Sequence, residues 1–207
     1  KGIMGGYQSY ADIKPQYINI GVYNNGESRD LWESKLNLTD EEQDILIYHT
    51  WELSHAGAFN YYFFDENCST QLLRLFEIIR PELEFESKKD LFVVPQVTYR
   101  EILSDFGEGN HQFRPSLKLR INNQFSNLSE NEKKIFTEIR NNEKNVSVTE
   151  NILILDTLID YWKYQNYKEK TDLKEDSKLQ MYDTLMKRAS IGSVSKDLSF
   201  VVPQEEN

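Results

Sequence analysis

Apolar and polar positions change rhythm several times along the 207 residues. Residues 17–23, Tyr-Ile-Asn-Ile-Gly-Val-Tyr, are dense in β-branched and aromatic side chains between Pro15 and an Asn24-Asn25-Gly26 turn, which predicts a strand. A helix is predicted next, over residues 39–54. Thr39 with Glu42 three positions on is a capping box, Ile45, Leu46, His49, Trp51 and Leu53 follow at broadly helical spacing, and Gly57 marks the stop. Residues 59–64 read as a buried aromatic strand ending in the turn Asp65-Glu66-Asn67. Residues 68–79 read as a second helix with Leu72, Leu73, Leu75, Phe76 and Ile79 on its apolar face and Pro81 just beyond it. A short strand over 91–94, a helix over 97–106 stopped by Gly107, and an extended connection at Arg114-Pro115-Ser116 complete this half.

Beyond about Leu119 the pattern turns to helix and loop. Ser129 with Glu132 opens a helix running to about Arg140, and residues 141–147 form a polar loop. Thr149 then caps an amphipathic helix that gathers Ile152, Leu155, Leu158, Ile159 and Trp162 on one face. Residues 168–178 are charged and read as a solvated turn. A last helix places Tyr182, Leu185, Met186 and Ala189 together. The expected organisation is a thiol-containing α+β domain over residues 1–119 with a helical extension over 120–207 packing on it.

Composition narrows the class. Hydrophobic residues at 39%, aromatic at 13% and charged at 28% exclude a disordered, collagen-like or rod-like chain. Asp and Glu total 34 against 24 Lys and Arg, a formal charge of −10, and no window carries a cationic cluster. Nucleic acid is therefore not expected as a partner, and an anionic membrane surface would be repelled. No run approaches the roughly 20 apolar residues of a membrane helix. The N-terminus has Met at position 4 and no signal-peptide core, and the expectation is that part of the parent protein is missing.

The one candidate for chemistry is the stretch from Phe63 to Thr70. There a strand runs through a tight turn into a helix, with the single cysteine, Cys68, at the first helical position. Unpaired amides and the helix dipole favour an anion at such a position, and a thiolate is the nucleophilic form of cysteine. The plainer alternative is a buried, inert thiol. Asn67 serves as N-cap on the plain reading, and Ser69 and Thr70 either donate to an oxyanion or are simply solvated. Of the three histidines, His49 reads as a core or boundary residue and His111 as a solvated loop residue. His55, thirteen residues before Cys68, ranks first as a base, although at a helix end it can equally satisfy the last carbonyls. Tyr62, within an aromatic cluster, either stacks a ligand or belongs to the core. No phosphate loop, metal-ligand spacing or cofactor motif is present: Asp65 and Glu66 are adjacent and diverge, and a lone cysteine forms neither an intramolecular disulfide nor a zinc knuckle.

Several of these residues resemble a known family. Arg29-Asp30-Leu31-Trp32-Glu33, Leu36-Asn37-Leu38-Thr39, Trp51-Glu52-Leu53 and the residues from Tyr61 to Leu73 are similar to the Lnb N-terminal periplasmic domain family, with Phe-Phe-Asp-Glu-Asn-Cys-Ser the most specific block. Pro95, Thr98-Tyr99-Arg100, Arg114-Pro115-Ser116 and Lys187-Arg188-Ala189-Ser190 look like further family positions. The resemblance implies a circularly permuted papain-like (NlpC-type) α+β core with a helical C-terminal extension. It places the chain in the periplasm or cell envelope and makes Cys68 the nucleophile, with Asn67 and Ser69 shaping its turn and Arg114 among the substrate-binding candidates. The family's namesake moves an acyl chain from phospholipid to a lipoprotein amine, so a lipoprotein or lipid acyl group is the implied substrate. Two departures stand beside this. The family histidine sits in an upstream Phe-Gly-His block that this chain does not contain, so either the N-terminal part of the core is missing or the protein lacks that base. The namesake also continues into a membrane-embedded region for which nothing here corresponds. The expected function is a cysteine-dependent acyl transfer or hydrolysis. The alternatives are a catalytically silent envelope binding module, or a lipid- or glycan-binding aromatic strand with Cys68 merely structural.

Overall fold

The computed structural model describes residues 7–61, 67–85, 95–168 and 175–192 and is mixed α and β, mostly helical with two small sheets. The chain divides into two compact units, residues 1–14 with 33–112 and residues 15–32 with 113–207.

In the first unit, β1 (Tyr7–Tyr10) pairs antiparallel with β3 (Ala58–Tyr61), Tyr7 opposite Tyr61 and Tyr10 opposite Ala58. Only part of the strand expected over 59–64 is described, and it is not wholly buried. Ala58 and Asn60 are exposed and Phe59 is half-buried, the alternation of a ribbon with one face in water. Between these strands in sequence lies α2 (Asp40–Ala56), whose capping box is complete: the Glu42 amide donates to Thr39 Oγ1 at 3.2 Å and the Thr39 amide to Glu42 Oε2 at 2.8 Å. The helix ends at Gly57, where a Cβ would lie 2.6 Å from the Leu53 carbonyl oxygen. None of its residues is buried.

The core of this unit forms between α3 (Cys68–Glu77) and α4 (Pro95–Phe106). Leu73, Phe76, Phe85, Ile102 and Phe106 are buried there, with the Phe76 and Phe106 rings 5.0 Å apart. Leu73 and Phe76 lie on the predicted apolar face of α3, but Leu72 is exposed. Arg80 pins the surroundings. Its guanidinium donates to Glu42 Oε1 at 2.6 Å, to the Asp105 carbonyl at 2.8 Å and to the Asn37 carbonyl at 3.3 Å, and lies 4.2 Å from the Phe106 ring centre. The strand expected over 91–94 lies outside the described residues.

A second two-stranded sheet joins β2 (Leu31–Leu36) and β4 (Gly107–Arg114). Neither strand was expected. Gly107, Gly109 and Asn110 depress β propensity, and Gly109 adopts φ +76°. His111 is accordingly a strand residue rather than a loop residue.

In the second unit, residues 17–23 are helical, not a strand. The short helix α1 (Gln16–Asn19) continues into a π-helical turn over Ile20–Gly26. Long-range contacts override the β-branched composition: Asn24 is buried and its Nδ2 donates to the carbonyls of Arg29 at 3.0 Å and Arg114 at 3.3 Å, while Tyr17 and Val22 stay exposed.

The helices α5 (Leu117–Ser126), α6 (Glu130–Arg140), α7 (Ile152–Lys168) and α8 (Glu175–Ile191) complete this unit. Leu128, Phe136, Ile139, Val146, Ile154, Leu155, Leu158 and Trp162 build its core. The Ser129/Glu132 capping box forms as predicted, and hydrogen bonds from the Ser129 side chain and amide hold the Glu132 carboxyl below its usual range. Asn151, not Thr149, caps α7: Asn151 Oδ1 accepts from the Ile154 amide at 3.2 Å, whereas Thr149 Oγ1 accepts only from Asn151. The last helix turns a different face inward from the one expected. Thr184 is buried, and Met181 and Ile191 pack on the core, while Tyr182, Leu185 and Met186 are exposed. Residues 176–178, expected in a solvated turn, lie inside α8.

Candidate functional site

The geometry around Cys68 begins with Asn67. Its backbone is extended (φ −98°, ψ −176°), and its side-chain oxygen accepts from the amides of Ser69 at 2.9 Å and Thr70 at 3.3 Å. The Asn67 carbonyl accepts from the Gln71 amide at 3.2 Å. The cap thus satisfies most of the first turn. Among the described residues, the first-turn amide left without an acceptor is that of Cys68 itself. An oxyanion at this helix end would therefore meet one free amide, not the several expected from an uncapped terminus.

Cys68 is exposed, which removes the buried-thiol alternative. Ser69 and Thr70, in contrast, are buried rather than solvated. They lie beside the buried Asn67, while the Cys68 thiol itself is exposed. Tyr62, with residues 63–66 of the same block, lies outside the described residues.

The histidines divide by what their ring nitrogens face. His55, in the last turn of α2, has Nδ1 2.8 Å from the Trp51 carbonyl and 3.0 Å from Ser54 Oγ, and its ring lies 4.3 Å from that of Trp51. A nitrogen against a carbonyl carries the proton, which leaves Nε2 as the basic atom of the neutral ring. The Trp51 carbonyl lies one turn back inside α2, so His55 does not contact one of the last four carbonyls of the helix. His49 is half-buried, with Nδ1 3.6 Å from Glu52 Oε2 on the same helix. His111 is exposed, and its Nδ1 lies 2.7 Å from Ser34 Oγ, which also hydrogen-bonds the Tyr99 hydroxyl. Among the described residues no hydrogen bond joins any histidine to Cys68. Ser34 and Tyr99 were missed as site residues because only the pairing of distant strands and the placement of α4 bring them to His111. No local motif signals that.

Arg114 ends β4 in the second unit, half-buried, with its carbonyl accepting from Asn24. The Glu42 carboxyl is strongly perturbed. Its hydrogen bonds from Arg80 and from the Thr39 amide hold the carboxyl down to about 2 from an ordinary 4.5. Among the described residues no cluster of His, Cys, Asp and Glu is arranged to hold a metal ion, and no helix is long and apolar enough to cross a membrane.

Comparison with known proteins adds one positive finding. No curated protein and no solved structure matches the chain significantly. The Lnb N-terminal periplasmic domain family matches residues 1–105, a span holding the whole Asn67–Cys68 turn and α3. Arg114-Pro115-Ser116 and residues 187–190, expected as family positions, fall outside that match. The capped, cysteine-bearing turn and the family match over half the chain together establish that this protein belongs to the Lnb N-terminal periplasmic domain family.

Proposed function

We propose that this chain is a periplasmic or cell-envelope acyl-transfer or hydrolytic domain acting through Cys68, on a circularly permuted papain-like core. The observation that carries the reading is an exposed, unpaired thiol at the first position of a helix whose cap, Asn67, and following residues Ser69 and Thr70 are buried. The family's periplasmic character supports the compartment. In this reading residues 1–119 carry the chemistry and 120–207 form the helical extension.

The base first takes the Cys68 thiol proton; the thiolate attacks a carbonyl carbon, forming the C–S bond, and the tetrahedral oxyanion meets the Cys68 amide. Collapse breaks the bond to the leaving amine or alcohol, which takes a proton from the base. An acceptor amine or water then attacks the thioester and regenerates the thiol. His55, through Nε2, is the base this chain offers. Asn67 and Ser69 hold the turn, Tyr62 contributes to substrate binding, and a lipid or lipoprotein acyl group is the substrate class.

The test is the rate of Cys68 alkylation by iodoacetamide at neutral pH, in the folded chain and in urea. Faster reaction in the folded chain is expected of an activated thiol. If His55→Ala slows only the folded rate, His55 is the base. Alkylation confined to the unfolded chain would leave a catalytically silent envelope module as the better reading.

A further inference from the structure

We propose that Ser34, His111 and Tyr99 form a second reactive centre, separate from Cys68, in which Ser34 is a nucleophile with its own base and acts on small carboxylic esters. Ser34 Oγ lies 2.7 Å from His111 Nδ1, within the distance at which a base takes a hydroxyl proton. The Tyr99 hydroxyl hydrogen-bonds the same oxygen. The three side chains come from β2, β4 and α4, and α4 is fixed there because Thr98 and Ile102, on either side of Tyr99, are buried.

Proton counting orders the cluster. A hydroxyl has one proton, so when Ser34 gives its own to His111 Nδ1, Tyr99 donates to Ser34 and the imidazole carries its proton on Nε2. This distinguishes Ser34 from Ser54, which also lies 3.0 Å from a histidine Nδ1. There the Ser54 hydroxyl and the His55 ring both donate to the Trp51 carbonyl, and neither activates the other. Ser34 faces a ring nitrogen not occupied by a carbonyl.

The step balances without a further reactant beyond water. Ser34 Oγ bonds to the ester carbonyl carbon as its proton passes to His111 Nδ1. The tetrahedral intermediate collapses, the bond to the alkoxy oxygen breaks, and His111 returns the proton to the departing alcohol. Water then attacks the acyl-serine, gives its proton to His111, and releases the acid while Ser34 regains a proton. His111 is exposed, so the substrate arrives from solvent and is small and reactive rather than deeply bound. Tyr99 is a positioning residue that fixes the Ser34 rotamer.

The experiment uses the 207-residue chain carrying Cys68→Ala, so that no thiol competes. A fluorophosphonate probe followed by peptide mass spectrometry is expected to label Ser34. His111→Gln should slow that labelling by about 10²–10⁴-fold, the range for a positioned general base, with the circular dichroism spectrum unchanged. Since His111 sits in a strand, diethyl pyrocarbonate treatment of a chain that keeps His111 but carries His49→Gln and His55→Gln, so that His111 is the imidazole modified, gives the same reading without substituting His111. Tyr99→Phe should lower kcat for p-nitrophenyl acetate while leaving KM in place. Labelling of Ser34 no faster than that of the exposed Ser104, or labelling indifferent to loss of the His111 nitrogen, overturns the proposal.

Discussion

Helices α2 and α7 are each 17 residues long and are held in opposite ways. On α7, Ile154, Leu155 and Leu158 have no exposed surface, and Trp162 is nearly as buried. On α2 no residue is buried, and Ile47, Tyr48 and Trp51 are 62%, 72% and 59% exposed. A helix of this length is marginal in water on propensity alone. Helix α7 is stabilised by what it covers. Helix α2 depends on its capping box, its acidic first turn and the grip of Arg80 on Glu42. Of the candidate chemistry, His55 lies on the second kind of framework, whereas Cys68 opens α3, a helix that buries Leu73 and Phe76. Polar pins can place a side chain in solvent, where a reactive group must be, at the cost of a lower local stability.

The largest effect should come from α7. Leu158→Ala deletes a fully buried side chain from the helical core and is expected to cost about 2–5 kcal/mol, read as a lower urea midpoint. A loss under about 1 kcal/mol would mean that α7 is not held by burial, and the contrast with α2 would collapse.

The pin on α2 comes next. Arg80→Ala removes hydrogen bonds to two backbone carbonyls and to Glu42, together with the stacking on Phe106, and should cost about 1–2 kcal/mol. The same pin gives a pH signature. Because the folded Glu42 carboxyl is held at about 2 against 4.5, its contribution is present above the unfolded value and is lost as pH falls from there towards 2. The gap in unfolding temperature between the native chain and Glu42→Gln should therefore be constant near neutrality and close on acidification. A gap independent of pH would show that the pin is not ionic.

These contrasts also explain what the sequence made legible. The capping boxes Thr39/Glu42 and Ser129/Glu132, the Asn67 cap, the Gly57 stop and the Leu73/Phe76 face are local signals, and the structure forms all of them. Residues 17–23 were misread because their helical form depends on contacts such as those of Asn24 with the carbonyls of Arg29 and Arg114. Strand β4 was missed because its pairing with β2 outweighs its glycines. On α8 the buried centre of the inward face is Thr184, so hydropathy pointed to the wrong side. At the candidate site, the position of Cys68 was legible from the turn, but the burial of Ser69 and Thr70 and the Ser34–His111 hydrogen bond were not. Both need the folded backbone.

A smaller effect joins stability to the site. Asn67→Ala removes the acceptor for the Ser69 and Thr70 amides and should cost about 1 kcal/mol, typical for an N-cap. It also removes the side-chain acceptor that those two amides share beside Cys68. Thermal melts paired with iodoacetamide rates separate the two consequences. An unchanged alkylation rate with lowered stability would make Asn67 a cap alone, whereas a changed rate in a still-folded chain would make it part of the thiol's environment.

The smallest effect is the most direct probe of α2. Ile47→Gln replaces an exposed branched side chain by a polar one of similar size with higher helix propensity, so two small terms oppose. Little apolar area is lost from packing, and the straighter side chain favours the helix slightly. The change should stay within about 0.5 kcal/mol, the usual range for a surface site. The equivalent change at Leu155 would place an amide in a fully buried position and unfold the helical unit. If Ile47→Gln instead cost more than about 1.5 kcal/mol, the outer face of α2 would have to be covered in the folded chain. The two helices would then share one source of stability, and the exposure of Trp51 beside His55 would no longer describe the site in solution.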